Sequence, residues 1–183
     1  MKKIFGLIII LTIVISGGAL YWESTESAKD KLPESYKIMD TLEEQGVFAL
    51  PLKFTSIEGK AYDIKDFKDK IIIISFWATW CTPCVDEFPS LIKLLDAYPE
   101  KVVLLALSHD DEVMDVRKFI EAFDGYRQNM IVTLDKDKSI SKSFGVNTLP
   151  EGYIFDSQGK LVKKIIGIQD WATDAAIEFF GQL

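Results

Sequence analysis

The chain has few of the residues that build metal sites and nucleic-acid interfaces. It contains two cysteines and one histidine among 183 residues. A zinc site of the usual kind needs four such ligands, so this set is incomplete. The formal net charge is −7, and no run of basic residues interrupts the sequence. This acidic balance argues against binding to the phosphate backbone of nucleic acids.

Both cysteines lie in one short segment, Trp80-Cys81-Thr82-Pro83-Cys84, which follows the apolar run Ile71 to Trp77. Two residues between cysteines at the first turn of a predicted helix hold the sulfurs close enough to form or break a disulfide. The free amides of that turn favour a thiolate on the first sulfur. A disulfide here closes almost no loop and gains little stability from it. The pair is therefore predicted to exchange disulfides rather than to staple the fold.

The N-terminus has the pattern of a membrane anchor. Residues 4–22 are uncharged and follow Lys2 and Lys3. At helical rise this segment is about 28 Å long, close to the roughly 30 Å hydrocarbon core of a bilayer. We predict a signal anchor over residues 1–22, because apolar and aromatic residues continue to Trp22. A cleaved signal peptide is the alternative, since Ser16-Gly17-Gly18-Ala19 offers small residues suited to a cleavage site.

The charges that flank this segment predict its orientation. Lysines precede it, and Glu23 and Glu26 follow it. By the positive-inside rule the N-terminus lies in the cytoplasm. The rest of the chain is therefore expected on the extracytoplasmic side of the cell membrane, with or without cleavage.

Composition and periodicity divide the remaining chain into a polar linker, residues 23–46, and one α/β domain, residues 47–183. An N-terminal β-hairpin is predicted to turn at Glu58-Gly59-Lys60. Strands and helices then alternate, which predicts a central mixed β-sheet flanked by helices. The predicted strands are Ile71–Trp77, Val102–Leu107, Met130–Leu134, Gly152–Asp156 and Lys160–Gly167. The predicted helices run from Cys81 or Thr82 to Tyr98, across Val113–Phe123, from Ser139 to Phe144 and from Asp170 to Phe180.

These features together resemble the thioredoxin superfamily, and within it the membrane-anchored TlpA, ResA and CcmG group. The segments that carry the resemblance span residues 47–183 and include Phe76-Trp77-Ala78-Thr79-Trp80-Cys81-Thr82-Pro83-Cys84, Glu87-Phe88-Pro89, Gly145-Val146 and Pro150-Glu151. The resemblance implies a thioredoxin fold and a thiol:disulfide oxidoreductase that faces the cell envelope.

The resemblance also implies roles for three residues of the cysteine helix. Cys81 is expected to be the exposed thiolate that attacks a partner disulfide, and Cys84 the buried resolving thiol. Thioredoxin has a buried aspartate at the position of Ser75, so that carboxylate is missing here. In the TlpA, ResA and CcmG group a glutamate three residues after the second cysteine lies near the active site, and Glu87 occupies that position. An ordinary solvated glutamate is the alternative.

A client-binding surface is implied beside the disulfide. Pro150 is expected to be cis and to face the cysteines, which leaves the backbone of Leu149 free to pair with an extended client peptide. Trp80 and Pro83 are expected to shape this surface, and Trp77 to pack in the core. His109 is expected to be a polar loop residue at the end of the second buried strand.

The sequence therefore predicts a single-pass membrane protein that reduces disulfides of other proteins. Cytochrome c maturation, with apocytochrome c as client, or a related envelope thiol pathway is the implied setting. Electrons are expected from a membrane thiol transporter, with no cofactor and no metal. Two alternatives stay open: a copper-binding metallochaperone that uses the cysteine pair, and an inert membrane-tethered interaction domain.

Overall fold

The computed structural model describes residues 41–124 and 126–183. No helix in these two ranges is long and apolar enough to cross a membrane. The predicted signal anchor, residues 1–22, and the predicted linker up to residue 40 lie outside the described residues.

A β-hairpin precedes the main sheet, as predicted. Strand β1 (Lys53–Thr55) pairs antiparallel with β2 (Ala61–Asp63). A 3-10 helix, Ile64–Phe67, follows, and Asp63 caps its N-terminus by accepting from the backbone N–H of Lys65.

The predicted central mixed sheet has five strands in the order β5-β4-β3-β6-β7. Strands β3, β4 and β5 are parallel, while β6 and β7 are antiparallel to their neighbours. The strands are β3 (Ile71–Trp77), β4 (Val102–Ser108), β5 (Met130–Leu134), β6 (Glu151–Phe155) and β7 (Leu161–Ile166). The helices are α1 (Thr82–Ala97), α2 (Val113–Ala122), α3 (Ser139–Ser143) and α4 (Asp174–Gln182).

Strand β3 is the centre of the sheet because its residues suit burial on both faces. All seven are buried. Successive side chains point to opposite faces, so Ile71 and Ile73 join a core cluster with α1, α2 and α4. Ile72 and Ile74 join a second cluster with the hairpin side of the sheet.

The packed region begins before residue 47. Residues 41–45, in the segment predicted to be a polar linker, are helical. Leu42 in this helix is fully buried and belongs to the second core cluster. The packing therefore extends at least to Leu42.

The C-terminal helix starts later than predicted, at Asp174 instead of Asp170. The side chain of Asp170 accepts from the backbone N–H of Ala172, and the backbone N–H of Trp171 donates to Ser90 Oγ on α1. These bonds hold residues 170–172 as a turn against α1. The helix can begin only after Thr173, whose hydroxyl caps it by accepting from Ala176 N–H.

Candidate active site

The two cysteines form a disulfide at the N-terminus of α1. Cys81 is the N-cap residue, and its carbonyl accepts from the backbone N–H of Cys84 at 2.9 Å and of Val85 at 3.1 Å. The Cα atoms of Cys81 and Cys84 are 5.2 Å apart. The positive end of the helix dipole therefore lies at the first sulfur, as the sequence predicted, and favours its thiolate once the bond is reduced.

Cys81 is less exposed than predicted, with 6% of its surface accessible against 2% for Cys84. The two cysteines differ in whether they line a surface cavity. Cys81 lines a surface cavity of about 450 Å³, and Cys84 is not among its lining residues. The walls of this cavity are Trp80, Cys81, Pro83, His109, Val146, Asn147, Thr148 and Leu149.

Three of the four residues predicted to form the client surface, Trp80, Pro83 and Leu149, line this cavity, whereas Pro150 is not among its lining residues. Trp80 is 65% exposed at its rim, while Trp77 is buried and packs against Phe88 and Phe119 with ring centroids 5.6 and 5.0 Å away. The Leu149–Pro150 peptide bond is cis, as predicted. The structure thus brings Trp80, Pro83 and Leu149 to one opening beside Cys81.

Glu87 is buried one helical turn after Cys84, so the solvated alternative is wrong. Its carboxylate accepts from the backbone N–H of Gln169 at 3.0 Å. Burial raises the pKa of Glu87 to about 7, although this hydrogen bond and the Trp171 side chain act in the opposite direction. The group can therefore exist as an acid or a base near neutral pH, which is the condition for moving a proton at the dithiol.

Ser75, which stands where thioredoxin has its aspartate, is buried in β3 between Ala106 and Gly152. Strand β3 therefore contributes no carboxyl, and the buried carboxyl on the cysteine helix α1 is that of Glu87.

Asp110 is a site residue that the sequence analysis missed. It is buried, and its carboxylate accepts from Thr79 N–H at 3.0 Å, Thr79 Oγ1 at 2.6 Å and Ser108 Oγ at 2.6 Å. These bonds tie the end of β4 to the turn that carries Trp80 and Cys81. The sequence did offer a signal for Asp110, since polar residues follow a buried strand there. Its place beside the turn before Cys81 depends on the pairing of Trp77 with Ser108.

A third buried acid, Glu151, follows Pro150. Its carboxylate lies 2.9 Å from Lys164 Nζ and accepts from the Tyr153 hydroxyl at 2.7 Å. Burial and this carboxylate raise the pKa of Tyr153. These contacts of Glu151 hold the start of β6 directly after the cis peptide. The carbonyl of Pro150 also accepts from the backbone N–H of Gly167 at 2.9 Å.

His109 follows β4 in a loop, as predicted, and it also lines the cavity wall. Its backbone N–H donates to the carbonyl of Trp77 at 2.8 Å, which fixes it beside the turn before Cys81. Its ring nitrogen Nε2 is buried and lies 4.0 Å from Asp135 Oδ2. Burial lowers the pKa of His109, although Asp135 and Asp110 act in the opposite direction.

Metal binding gains no support from the described geometry. Within residues 41–124 and 126–183, no three histidine, cysteine, aspartate or glutamate side chains converge as a ligand set. His109 shares the cavity with Cys81 without completing such a set, so the copper-binding alternative has no third ligand here.

A disulfide at the start of a helix, a cis-proline loop that lines the same cavity as its first cysteine and a five-stranded mixed sheet define a thioredoxin-like thiol-disulfide oxidoreductase. Comparison with protein-family models agrees, since residues 26–164 match the AhpC/TSA family, and the chain belongs to this family.

Individual relatives show which proteins of known type the chain resembles. The chain is 33% identical over 173 residues to the thiol-disulfide oxidoreductase ResA of Bacillus cereus, covering 92% of each protein. It is 27% identical over 161 residues to the thioredoxin-like protein YneN of Bacillus subtilis, covering 86% of this chain and 85% of that one. The protein is thus a thiol-disulfide oxidoreductase of the ResA type.

Solved structures agree on the fold. The structure of StoA from Bacillus subtilis matches with a TM-score of 0.57 and 25% identity, over 73% of this chain and 97% of that chain. A secreted Mycobacterium tuberculosis disulfide oxidoreductase matches with a TM-score of 0.58 and 21% identity, over 72% and 93%.

Proposed function

We propose that this protein is a membrane-anchored reductase of protein disulfides on the extracytoplasmic side of the cell. The observation that carries the proposal is the asymmetry of the cysteine pair, because only Cys81 faces the cavity that a client could enter. The envelope setting rests on the uncharged segment, residues 4–22, and its flanking charges.

The proposed reaction has two steps. In the reduced protein the Cys81 thiolate attacks one sulfur of a client disulfide, and the other client sulfur leaves and takes up a proton. Cys84 then loses its proton and attacks the Cys81 sulfur, so the bond between Cys81 and the client breaks, and the client sulfur leaves as a thiolate that takes up a proton. The client gains two electrons and two protons, and Cys81–Cys84 becomes the disulfide.

Other residues of the site bind the client or transfer a proton in this reaction. The backbone of Leu149 pairs with an extended client segment, while Trp80, Pro83 and Pro150 shape the surface on which it lies. Glu87 accepts the proton that Cys84 releases, because a carboxyl with a pKa of about 7 is half ionised at neutral pH.

The pathway follows from the resemblance to the TlpA, ResA and CcmG group. We propose clients of the cell envelope, with apocytochrome c among them, and a membrane thiol transporter as the electron donor. Neither step of the exchange requires an organic cofactor.

The direction of electron flow is tested by the reduction potential of the purified domain. A reductase is expected to equilibrate near thioredoxin, at about −270 mV. Equilibration with graded glutathione or dithiothreitol mixtures, read by the tryptophan fluorescence of the oxidised and reduced forms, gives the value. A potential near that of DsbA, about −120 mV, would make the protein an oxidant instead.

The anchor is tested by fractionation of cells that make the full-length chain. We expect the protein in the membrane fraction, with the domain open to protease added from outside, because residues 4–22 are long enough to span the bilayer. Replacing two central residues, Ile9 and Leu11, by Lys should release it. A soluble mature protein that begins near Leu20 would show that the segment is cleaved.

A further inference from the structure

The cavity beside Cys81 has only one ionisable wall residue apart from that cysteine. Of its eight lining residues, His109 alone can gain or lose a charge near neutral pH. It is also the only histidine of the chain. The opposite wall, residues 146–149, contributes only uncharged side chains.

Two buried carboxylates lie next to this histidine. Asp135 Oδ2 is 4.0 Å from Nε2, and Asp135 also accepts from the backbone N–H groups of Ile140 and Ser141. Asp110 follows His109 in the chain and is held by Thr79 and Ser108. When the imidazole is neutral, these two acids leave a negative field on the side of the cavity that His109 forms.

The other charged groups near His109 are few. Lys138, at the start of α3, is exposed and opposes protonation from a distance. The neighbouring residues of β3, Phe76 and Trp77, are uncharged, and Phe76 meets the imidazole edge to face at 6.4 Å. Glu87 is tied to Gln169 and is not part of the cavity wall. Protonation of His109 is therefore the local event that offsets one of the two aspartate charges, and it does so at the cavity wall itself.

We infer that His109 is a specificity-determining residue that selects clients by charge. With a neutral His109 the cavity favours a client segment that carries a positive charge beside its disulfide, and protonation of His109 weakens this preference. The inference rests on the proposed function, in which Cys81 attacks a client seated in this cavity. It adds a client class, basic segments around a disulfide, and a pH range in which that class is favoured.

The pKa of His109, which sets this pH range, can be measured directly. Because the chain has one histidine, its ring signals in a proton–carbon NMR spectrum need no assignment. A titration of the oxidised protein gives the pKa, which is expected below the ordinary value of 6.5 because the ring is buried.

The test compares two peptide disulfides that differ only in a Lys or a Gln beside the reactive cysteine. The kcat/KM for each is measured one pH unit above and one below the pKa of His109, at low ionic strength. The ratio of the two values cancels every pH effect on the thiols themselves. In the wild type the Lys-to-Gln ratio is expected to fall by about threefold or more in the acidic sample, as a like charge appears across the cavity.

Two variants complete the test. His109→Gln keeps a polar side chain of similar size without the charge, and its ratio is expected to stay constant with pH. Glu112→Gln removes an exposed charge from the same connection outside the cavity and should behave as the wild type. A constant ratio in the wild type, or an unchanged pH response in His109→Gln, would overturn the inference. If neither peptide is reduced at all, the proposed function fails instead.

Discussion

Cys84→Ser protein is expected to accumulate mixed disulfides with its clients, whereas Cys81→Ser protein forms none and loses all disulfide-reducing activity. Cys81 faces the cavity and lies at the positive end of α1, so it makes the first bond to the client. Without the Cys84 sulfur the second step cannot break that bond. Insulin reduction measures the lost activity, and non-reducing gels with mass spectrometry identify the trapped adducts.

The double variant Cys81→Ser/Cys84→Ser is the control for adducts that do not involve the pair, since the chain has no other cysteine. All trapped clients should disappear in it. An adduct that forms in Cys81→Ser but not in Cys84→Ser would reverse the assigned order of the two cysteines.

Glu87→Gln is expected to make the oxidised protein more stable than the wild type at pH 8, and no more stable at pH 4. The pKa of Glu87 is raised from 4.5 to about 7 by burial, so the folded protein favours the neutral carboxyl. The stabilisation from the bound proton is fully present below pH 4.5 and is lost as the pH rises through 7. At 1.36 kcal/mol per pKa unit the difference approaches about 3 kcal/mol.

Urea unfolding of both proteins between pH 4 and 8 measures this difference. The disulfide is intact throughout, so the cysteines do not titrate. Asp86→Asn alters the exposed neighbour of Glu87 on the same helix and should leave the pH dependence unchanged. Parallel curves for the wild type and Glu87→Gln would mean that Glu87 keeps its ordinary pKa in the folded protein.

The same substitution probes the role of Glu87 in exchange. In the reduced protein a carboxyl near the dithiol couples to its titration. Glu87→Gln is therefore expected to change the pH dependence of alkylation at Cys81 and to slow the exchange. Unchanged alkylation profiles together with an unchanged rate would limit Glu87 to a structural role.

The sequence predicts those parts of the fold that depend on local patterns. The run Ile71–Trp77, rich in β-branched and aromatic residues, predicts a strand buried on both faces, and the structure confirms it. The spacing of Phe88, Leu91, Ile92 and Leu95 likewise predicts α1 to within a residue. The cis bond before Pro150 was predicted from family resemblance, because no local pattern determines it.

The parts that escaped prediction depend on contacts between distant segments. Asp110 and His109 reach the active site only because β4 runs parallel to β3 with Trp77 beside Ser108. The partner of Glu87 is Gln169, 82 residues later in the chain. The cavity beside Cys81 is completed by residues 146–149, which lie more than 60 residues later in the sequence, in the loop before β6. No spacing in the sequence encodes these distances.

The central claim is that Cys81 forms a mixed disulfide with the client and that Cys84 then resolves it. It is tested most directly by mixing the reduced wild-type protein with one equivalent of a peptide disulfide, quenching with acid at intervals and mapping the products by mass spectrometry. We expect a transient peptide adduct on Cys81 alone, which decays as the Cys81–Cys84 disulfide and the reduced peptide appear in equal amounts. An adduct on Cys84, or peptide that stays oxidised while the protein stays reduced, would contradict the account.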